Sequence, residues 1–312
     1  MNNAFEQLFV VFWKCINNPG GDTLSRDYIL ITPAKNEEKN LSGVADSVVE
    51  QTLKPKLWVI IDDGSVDNTS VIIETLINDY EWIKTVKLPP HPRDITFHYA
   101  YVCKKGFEYA LQYARETSIS YGYIGLLDAD TILETAYFEK ILQKFDQDKV
   151  LGIASGGIYL QNNGNLQWEK SSVHLPAGSG RIWAKACFLD TGGYALEPSP
   201  DSISNVKAIL RGWRIQLFEN IVAIQQRATS SANGLWKGYK INGQTAYYLN
   251  KHPLLVLLNV LFLSTQRPYF TGVPYLIGYF ISFCTRKRQI DDKEIKDYFW
   301  GRRLKDVFKR VI

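Results

Sequence analysis

The sequence predicts an α/β fold: a mostly parallel sheet flanked by helices, with a hydrophobic helical segment at its C-terminal end. Three observations predict it. From Tyr28 onward, short apolar runs alternate with stretches of helical periodicity, the pattern of parallel strands covered on both faces. Three of those apolar runs end in polar turns that carry Asp or Glu. From His252 onward the chain becomes strongly apolar.

The elements follow in order. Residues 1–27 form a lead-in whose apolar stretch, Leu8 to Trp13, is too short to span a bilayer. It reads as an amphipathic helix lying either on the core or at a membrane interface, and it lacks the basic region and cleavage site of a secretory signal. YILITPA (28–34) is a buried strand. LSGVADSVVEQT (41–52) puts Leu41, Val44, Ala45, Val48 and Val49 on one helical face. KLWVIIDDGS (56–65) is a second strand, and TSVIIETLINDY (69–80) a second helix with Asn68 or Thr69 as its cap. WIKTVKL (82–88) is a third strand closed by Pro89 and Pro90, and a long helix runs from about His98 to Arg115. GYIGLLDAD (122–130) is a fourth strand, and ETAYFEKILQKF (134–145) a helix.

The second half continues with strands at VLGIASGGIYL (150–160) and NLQWEKSS (165–172), joined by the turn QNNGN. GSGRIWAKACFLDTGGY (178–194) reads as a Gly-rich loop, a short helix and a turn. A helix begins near Pro200, and RIQLFENIVAIQQ (214–226) is a strand. ANGLWKGYKINGQTAYY (232–248), with three glycines and several aromatics, reads as a mobile flap over the site.

Two apolar segments follow, at 253–266 and 268–284, and neither reaches the roughly 20 residues of a simple spanning helix. Tyr269, Phe270, Tyr275 and Tyr279 resemble the aromatic belt of a membrane interface. The segments read as a short hairpin that dips into a bilayer or lies on it, with basic flanks on the cytoplasmic side. A buried C-terminal helical layer is the plainer alternative. The late basic residues Arg286, Lys287, Arg288, Arg302, Arg303 and Lys305 suit an anionic membrane surface or a solvated helix face.

Composition narrows the function classes. The chain has 312 residues, 46% of them hydrophobic and 22% charged, which is globular and large enough for a substantial core. A net charge of +4 without a basic stripe interleaved with aromatics argues against nucleic acid. Four dispersed cysteines with no CxxC pair argue against a zinc site or a disulfide framework, and no His pair has metalloprotease spacing. No phosphate-binding GxxxxGK[ST] and no early GxGxxG is present, which weighs against other nucleotide-using α/β enzymes such as nucleotidyltransferases.

Chemistry is concentrated in the turns. In parallel sheets ligands bind beyond the carboxyl ends of the strands. PAKNEE (33–38), DDGSVDNT (62–69) and DADT (128–131) would all lie there and converge on one crevice. Asp128 and Asp130, one residue apart, repel each other unless a cation or solvent intervenes. Mg2+ and Mn2+ accept such carboxylates together with phosphate oxygens. A plain loop is the alternative. Asp62 and Asp63 close an apolar run and can accept from a base or a ribose hydroxyl, whereas Asp67 and Thr69 are explained by helix capping. Glu37 and Glu38 sit where a helix begins, which the helix dipole alone can favour.

Taken in order, PAKNEE (33–38), DDGSVDNT (62–69), LLDADT (126–131), GGY (192–194) and PSPD (198–201) resemble family 2 glycosyltransferases of the GT-A fold, over roughly residues 28–225. The resemblance implies a GT-A type, Rossmann-like sheet over residues 28–250, with a nucleotide-sugar half (28–131) and an acceptor half (132–250). The hydrophobic hairpin and basic tail would then occupy 251–312. It implies that Pro33, Glu37 and Asp63 face the nucleotide together with Ala34, Asn36, Asp62 and Ala129. Asp128 would face ribose or metal, and Asp130 would be the main ligand of Mg2+ or Mn2+. Two departures stand out. Lys104, Lys105 and Gly106 occupy the place of an Asn-Lys-Gly element, and Lys105 would serve the nucleotide. Where the family carries a Glu-Asp pair this chain has Pro200-Asp201, so the base role falls to Asp201 alone.

The implied reaction is inverting transfer of one sugar from a UDP- or GDP-linked donor to an acceptor hydroxyl or phosphate. Gly178, Ser179, Gly180, Arg181 and Trp183 are candidates for acceptor or sugar contacts, with a structural loop as the alternative. Arg211 and Trp213 are further candidates. Gln-x-x-Arg-Trp is absent, since QQRAT around Arg227 lacks the Trp, and this favours single addition over polymerisation. The hydrophobic end suits a lipid-linked acceptor and a place on the cytoplasmic face of the cell membrane. A membrane-attached scaffold with a decayed domain is the rival reading.

Overall fold

The structure is a computed structural model describing residues 26–90, 97–162, 165–168, 175–227 and 234–302. The expected N-terminal helix at Leu8 to Trp13, the middle of the QNNGN turn, residues 169–172 of the strand NLQWEKSS, and Arg303 and Lys305 lie outside them. The chain divides into two compact units, Met1–Leu196 with Pro200–Gln226, and Glu197–Ser199 with Arg227–Ile312.

In the first unit the described strands are β1 (Tyr28–Ala34), β2 (Leu57–Asp62), β3 (Ile83–Lys87), β4 (Tyr123–Leu126), β5 (Thr131–Leu133), β6 (Leu151–Asn162), β7 (Asn165–Trp168), β8 (Arg181–Ala184) and β9 (Arg214–Gln225). They form one sheet in the order β3-β2-β1-β4-β8-β6-β9-β5, with β7 paired to β6. The helices are α1 (Leu41–Val49), α2 (Thr69–Asp79), α3 (Phe97–Glu116), α4 (Tyr137–Gln147), α5 (Lys185–Asp190) and α6 (Pro200–Leu210).

Successive side chains of β1 point to opposite faces, as the two-residue period of a strand requires. Leu30 joins Trp58, Ile60, Val44 and Val48 of α1, and Phe138 and Ile141 of α4. Ile29 and Ile31 join Val59, Ile61 and the α3 residues Val102, Cys103 and Phe107 on the other face. Both faces of β1 and β2 are therefore buried, and that is why these runs carry no polar alternation.

The sheet is mixed, which corrects the expectation of a mostly parallel one. β1 pairs in parallel with β2 and β4, and β2 with β3, because helical crossovers return the chain each time. β8 runs antiparallel to β4, with Arg181 opposite Leu126 and Ala184 opposite Tyr123. It enters the sheet at the edge where β4 leaves it. β7 turns back on β6, and β5 pairs antiparallel with β9. The fourth strand also ends earlier than its apolar run suggests: Asp128 to Asp130 form the turn between β4 and β5.

The second unit contains α7 (Leu235–Tyr248), α8 (Pro253–Ser264), α9 (Gly272–Cys284) and α10 (Lys293–Asp297). The expected flap, from residue 234 on, is instead the regular helix α7. Gly243 serves packing: a Cβ there would strike the Tyr275 carbonyl of α9, and one at Gly278 of α9 would strike the Lys240 carbonyl of α7. Among the described residues no helix is long and apolar enough to cross a membrane. At 1.5 Å per residue α8 and α9 are about 20 Å long, short of a hydrocarbon core of about 30 Å. The hydrophobic C-terminal segment thus gives no support for membrane insertion by a spanning helix.

Candidate active site

The parallel register brings the acid-bearing turns together. Ala34 lies opposite Asp62 and Ile31 opposite Leu126, so β1, β2 and β4 end along one edge. Asp63 N–H donates to the Ala34 carbonyl (2.8 Å) and Leu127 N–H to the Ile31 carbonyl (2.9 Å), carrying the pairing up to the turns themselves.

The first two turns are fastened to each other. Asn36, at φ 54°, donates its N–H to Ser65 Oγ (3.0 Å), and its Oδ1 accepts from Val66 N–H (2.9 Å). Glu37 N–H donates to buried Thr69 Oγ1 (2.8 Å), and its carboxylate accepts from Asn40 Nδ2 (2.8 Å). Asn68 takes the N-cap position of α2, as expected, but its side chain makes no cap bond; Asp67 Oδ1 accepts from Thr69 N–H (3.0 Å) instead. Asp62 is 2% exposed, and its carboxylate accepts from Ser65 N–H (2.9 Å) and from the Ser70 hydroxyl. That carboxylate holds the turn, as the likewise buried Glu37 carboxylate does through Asn40. Pro33 is half-buried at the end of β1, and Ala34 and Ala129 are buried.

Asp63 and Asp128 are reached from the same turn of α3. His98 Nε2 lies 2.8 Å from Asp63 Oδ1, and Tyr99 donates its phenol proton to Asp128 Oδ1 at 2.8 Å. Lys35 adds its ammonium 3.7 Å from Asp63 Oδ2. Lys105, farther along α3, ion-pairs with Glu108 at 3.0 Å on the exposed face, and Glu108 belongs to none of the acidic turns. The structure does not bring Lys105 to them.

The loop before β8 ties the Asp128 turn to Asp201. Asp128 N–H donates to Ser179 Oγ (2.9 Å), which in turn bonds Thr131 Oγ1 (2.9 Å), and Thr131 Oγ1 lies 3.4 Å from Asp130 Oδ1. Two residues on, Arg181 is fully buried. Its guanidinium donates to the carbonyls of Pro176, Ala177 and Asp201, and Nη1 stands 3.6 Å from Asp201 Oδ1. A Cβ on Gly178 would come within 2.8 Å of Asp201 Oδ2. Gly180, at φ 67°, accepts from the Tyr137 hydroxyl (2.8 Å).

These facts correct the acceptor assignments. Ser179, Gly180 and Arg181 are buried positioning groups, and Trp183, 1% exposed, packs edge-on against Phe107 and Phe188. The strand β8 itself buries Arg181 and Trp183, and its four residues were too few to read as a strand. Trp213 Nε1 donates to Asp190 (2.8 Å), which fixes it to α5. Gly178 and Arg181 both stand directly against Asp201.

Beneath both acids lies a cluster that sequence reasoning missed. Tyr194 donates to Asp201 Oδ1 at 3.5 Å, and the Cys103 thiol is buried in the same cluster as Tyr99 and Tyr194. Burial, then the field of Asp128, pushes the Tyr99 phenol well above the ordinary tyrosine range. Burial, then Asp201, does the same to Tyr194. Burial, then Asp128, raises the Cys103 thiol. All three stay protonated at neutral pH, and the two phenols donate to the carboxylates. The one sequence signal was the i, i+4 spacing of Tyr99 and Cys103 on a helix with an apolar inner face.

Among the described residues no three His, Cys, Asp or Glu side chains form a ready-made metal cage. Asp128 and Asp130 offer hard oxygen ligands in one turn, a set that fits Mg2+ or Mn2+ when water and phosphate complete the shell. A softer metal would want the nitrogen or sulfur ligands this turn lacks.

Comparison with known proteins bears on the family and the fold. Residues 29–213 match the model of glycosyl transferase family 2. A poly-beta-1,6-N-acetyl-D-glucosamine synthase of Staphylococcus aureus is 23% identical over 222 residues, covering 65% of this chain and 50% of its own. The synthase of that name from Staphylococcus epidermidis is 22% identical over 227 residues, with the same coverage. The chain thus spans about half the length of the curated relatives it matches. Among solved structures, the mannosyltransferase PcManGT from Pyrobaculum calidifontis, in complex with GDP-Man and Mn2+, superposes with a TM-score of 0.53 at 14% identity. That likeness covers 91% of this chain and 96% of the other, and it shows the GT-A fold. With the family model matched across well over half its length, the chain belongs to glycosyl transferase family 2.

Proposed function

We propose that this protein moves one sugar from a UDP- or GDP-linked donor to an acceptor hydroxyl or phosphate, with inversion at the anomeric carbon. The observation that carries the proposal is that three neighbouring side chains each meet one acid: His98 lies against Asp63, Tyr99 donates to Asp128, and Tyr194 donates to Asp201. Donor-side and acceptor-side acids on separate elements are each held by a side chain of this group.

Asp63, Pro33 and Glu37 line the nucleotide side of the rim in this reading. Asp128 and Asp130 would hold Mg2+ or Mn2+, and such an ion, when bound, offsets charge on a departing diphosphate. The mannosyltransferase of like fold contains Mn2+, which supports this use. On the other side Asp201 accepts the proton of the attacking hydroxyl. The acceptor oxygen bonds to the anomeric carbon as the bond to the diphosphate oxygen breaks, and the electron pair leaves with the nucleoside diphosphate. Arg181, Tyr194 and the bare Cα of Gly178 fix where the Asp201 carboxylate points. Retention of the acids in both DDGS (62–65) and DADT (128–131) favours this reading over a decayed scaffold, whose best support is Pro200 in place of the first acid.

We further propose a lipid-linked acceptor and a place at the cytoplasmic face of the cell membrane. The exposed apolar residues of α8 and α9 support this reading. Relatives named as polysaccharide synthases favour a second reading, repeated addition. A panel of radiolabelled UDP- and GDP-sugars, with and without Mn2+ and with detergent-solubilised lipid extract, tests both. The proposal expects one metal-dependent donor and a product of a single added sugar. A ladder of products supports repeated addition, and no turnover of any donor supports the scaffold.

A further inference from the structure

We infer that the outer faces of α8 and α9 form a seat for the headgroup region of an anionic lipid leaflet, lying in its plane. This deepens the membrane-side part of the proposed function and rests on it. The two helices already have a partner on their inner side. Val256 and Tyr275 are buried with Ala246 of α7, and Val260, Leu263 and Tyr279 pack around them. At Gly243 and Gly278 the α7 and α9 backbones touch. Packing is therefore complete on that side, and yet Leu257 (50%), Leu261 (66%), Phe262 (52%), Phe280 (62%) and Phe283 (56%) remain exposed on the other. A soluble monomer rarely shows so many large apolar side chains together.

Charge and length commit this face to lipid. No Asp or Glu occurs from Lys251 to Ile290, whereas exposed Arg267 stands in the α8–α9 turn and exposed Arg286 and Lys287 follow α9. An apolar strip edged with cations and free of carboxylates matches anionic headgroups over acyl chains. Two copies of this chain pairing through it about a twofold axis would face each other with cations of one sign. Helices of 12 and 13 residues lie along an interface and do not cross it.

The test is flotation of the full chain with vesicles of phosphatidylcholine alone or mixed with phosphatidylglycerol, without nucleotide sugar, so that it can fail independently of sugar transfer. Expected are partition onto the anionic vesicles, weakening with salt, and a fall of roughly tenfold or more for Leu261→Glu combined with Phe280→Glu. Circular dichroism should show the double variant folded, since both side chains point away from the core. Arg286→Glu with Lys287→Glu should abolish the preference for anionic lipid. The inference is overturned if the protein floats with neither vesicle, or if the Leu261/Phe280 variant floats like the parent. A vesicle-indifferent dimer that the same variant splits into monomers would also overturn it, because a second copy would then own the face.

Discussion

Tyr99 donates its phenol proton to Asp128 Oδ1 at 2.8 Å, from the helical turn whose preceding residue, His98, holds Asp63 Oδ1 at the same distance. Two neighbours on α3 thus span carboxylates that follow two different strands. β1 lies between those strands, so the turn of α3 closes a gap that backbone pairing leaves open. Asp128 is held by a phenol that stays protonated, and its direction is set before any ligand arrives.

Tyr99→Phe should remove that donor and leave the ring packing. A buried hydrogen bond to a charged group contributes about 1.5–3 kcal/mol, so kcat/KM for donor turnover should fall about tenfold to hundredfold. Unchanged kinetics would detach Tyr99 from the site.

Asp201→Asn keeps the size of the side chain and removes the proton acceptor. Steady-state kinetics should show kcat down by about 10²–10⁴. Calorimetry should show nucleoside diphosphate binding nearly unaltered. Weaker nucleotide binding with intact kcat would move Asp201 to the donor side.

Gly178→Ala tests the contact that the loop makes with the base. The added methyl would stand 2.8 Å from Asp201 Oδ2 and turn the carboxylate aside. Small displacements of reacting groups cost up to about a hundredfold in rate. The expected outcome is kcat reduced about tenfold or more with the melting temperature within a few degrees of the parent.

Stability should decline at alkaline pH. The folded-state pKa values of Tyr99 and Tyr194 are raised, so their contribution is complete below the unfolded value of about 10 and is lost as pH rises through the folded values. Above about pH 10 the unfolded chain binds fewer protons than the native one, and the unfolding free energy falls. Urea titrations across that range should show the decline, shallower in Tyr99→Phe.

Gly243→Ala should destabilise the second unit by about 1–3 kcal/mol, because overpacking forces α7 away from the Tyr275 carbonyl of α9. Gly301→Ala is the control, since a Cβ there meets open space. Chemical denaturation followed by circular dichroism reads both.

What could be read from sequence followed local periodicity. Tyr28–Ala34 and Leu57–Asp62 are long, unbroken apolar runs, and the acids that end them could only lie beyond a sheet edge. β5 and β8 have three and four residues, too few to show a period, so these two strands and their antiparallel pairings were illegible, whereas β6, β7 and β9 were readable as strands. Arg181 and Trp183 looked like ligand contacts because their residue types often are, and burial of both is a tertiary fact. The cluster of His98, Tyr99, Cys103 and Tyr194 joins α3 to turns roughly thirty to ninety residues away in sequence, a distance that no local signal spans. Glycines at 238 and 243 suggested mobility, whereas Gly243 serves close helix packing.

The central claim is that Asp128 and Asp130, on the rim shared with Asp63, bind a nucleoside diphosphate together with a divalent cation. Isothermal titration of UDP and GDP into the parent and into Asp130→Asn, each with Mn2+ and with a chelator, tests it most directly. The account predicts that one nucleotide binds with Mn2+, weakens at least about tenfold in chelator, and weakens comparably in the variant. Equal affinity in all four conditions, or no binding of either nucleotide, would contradict it.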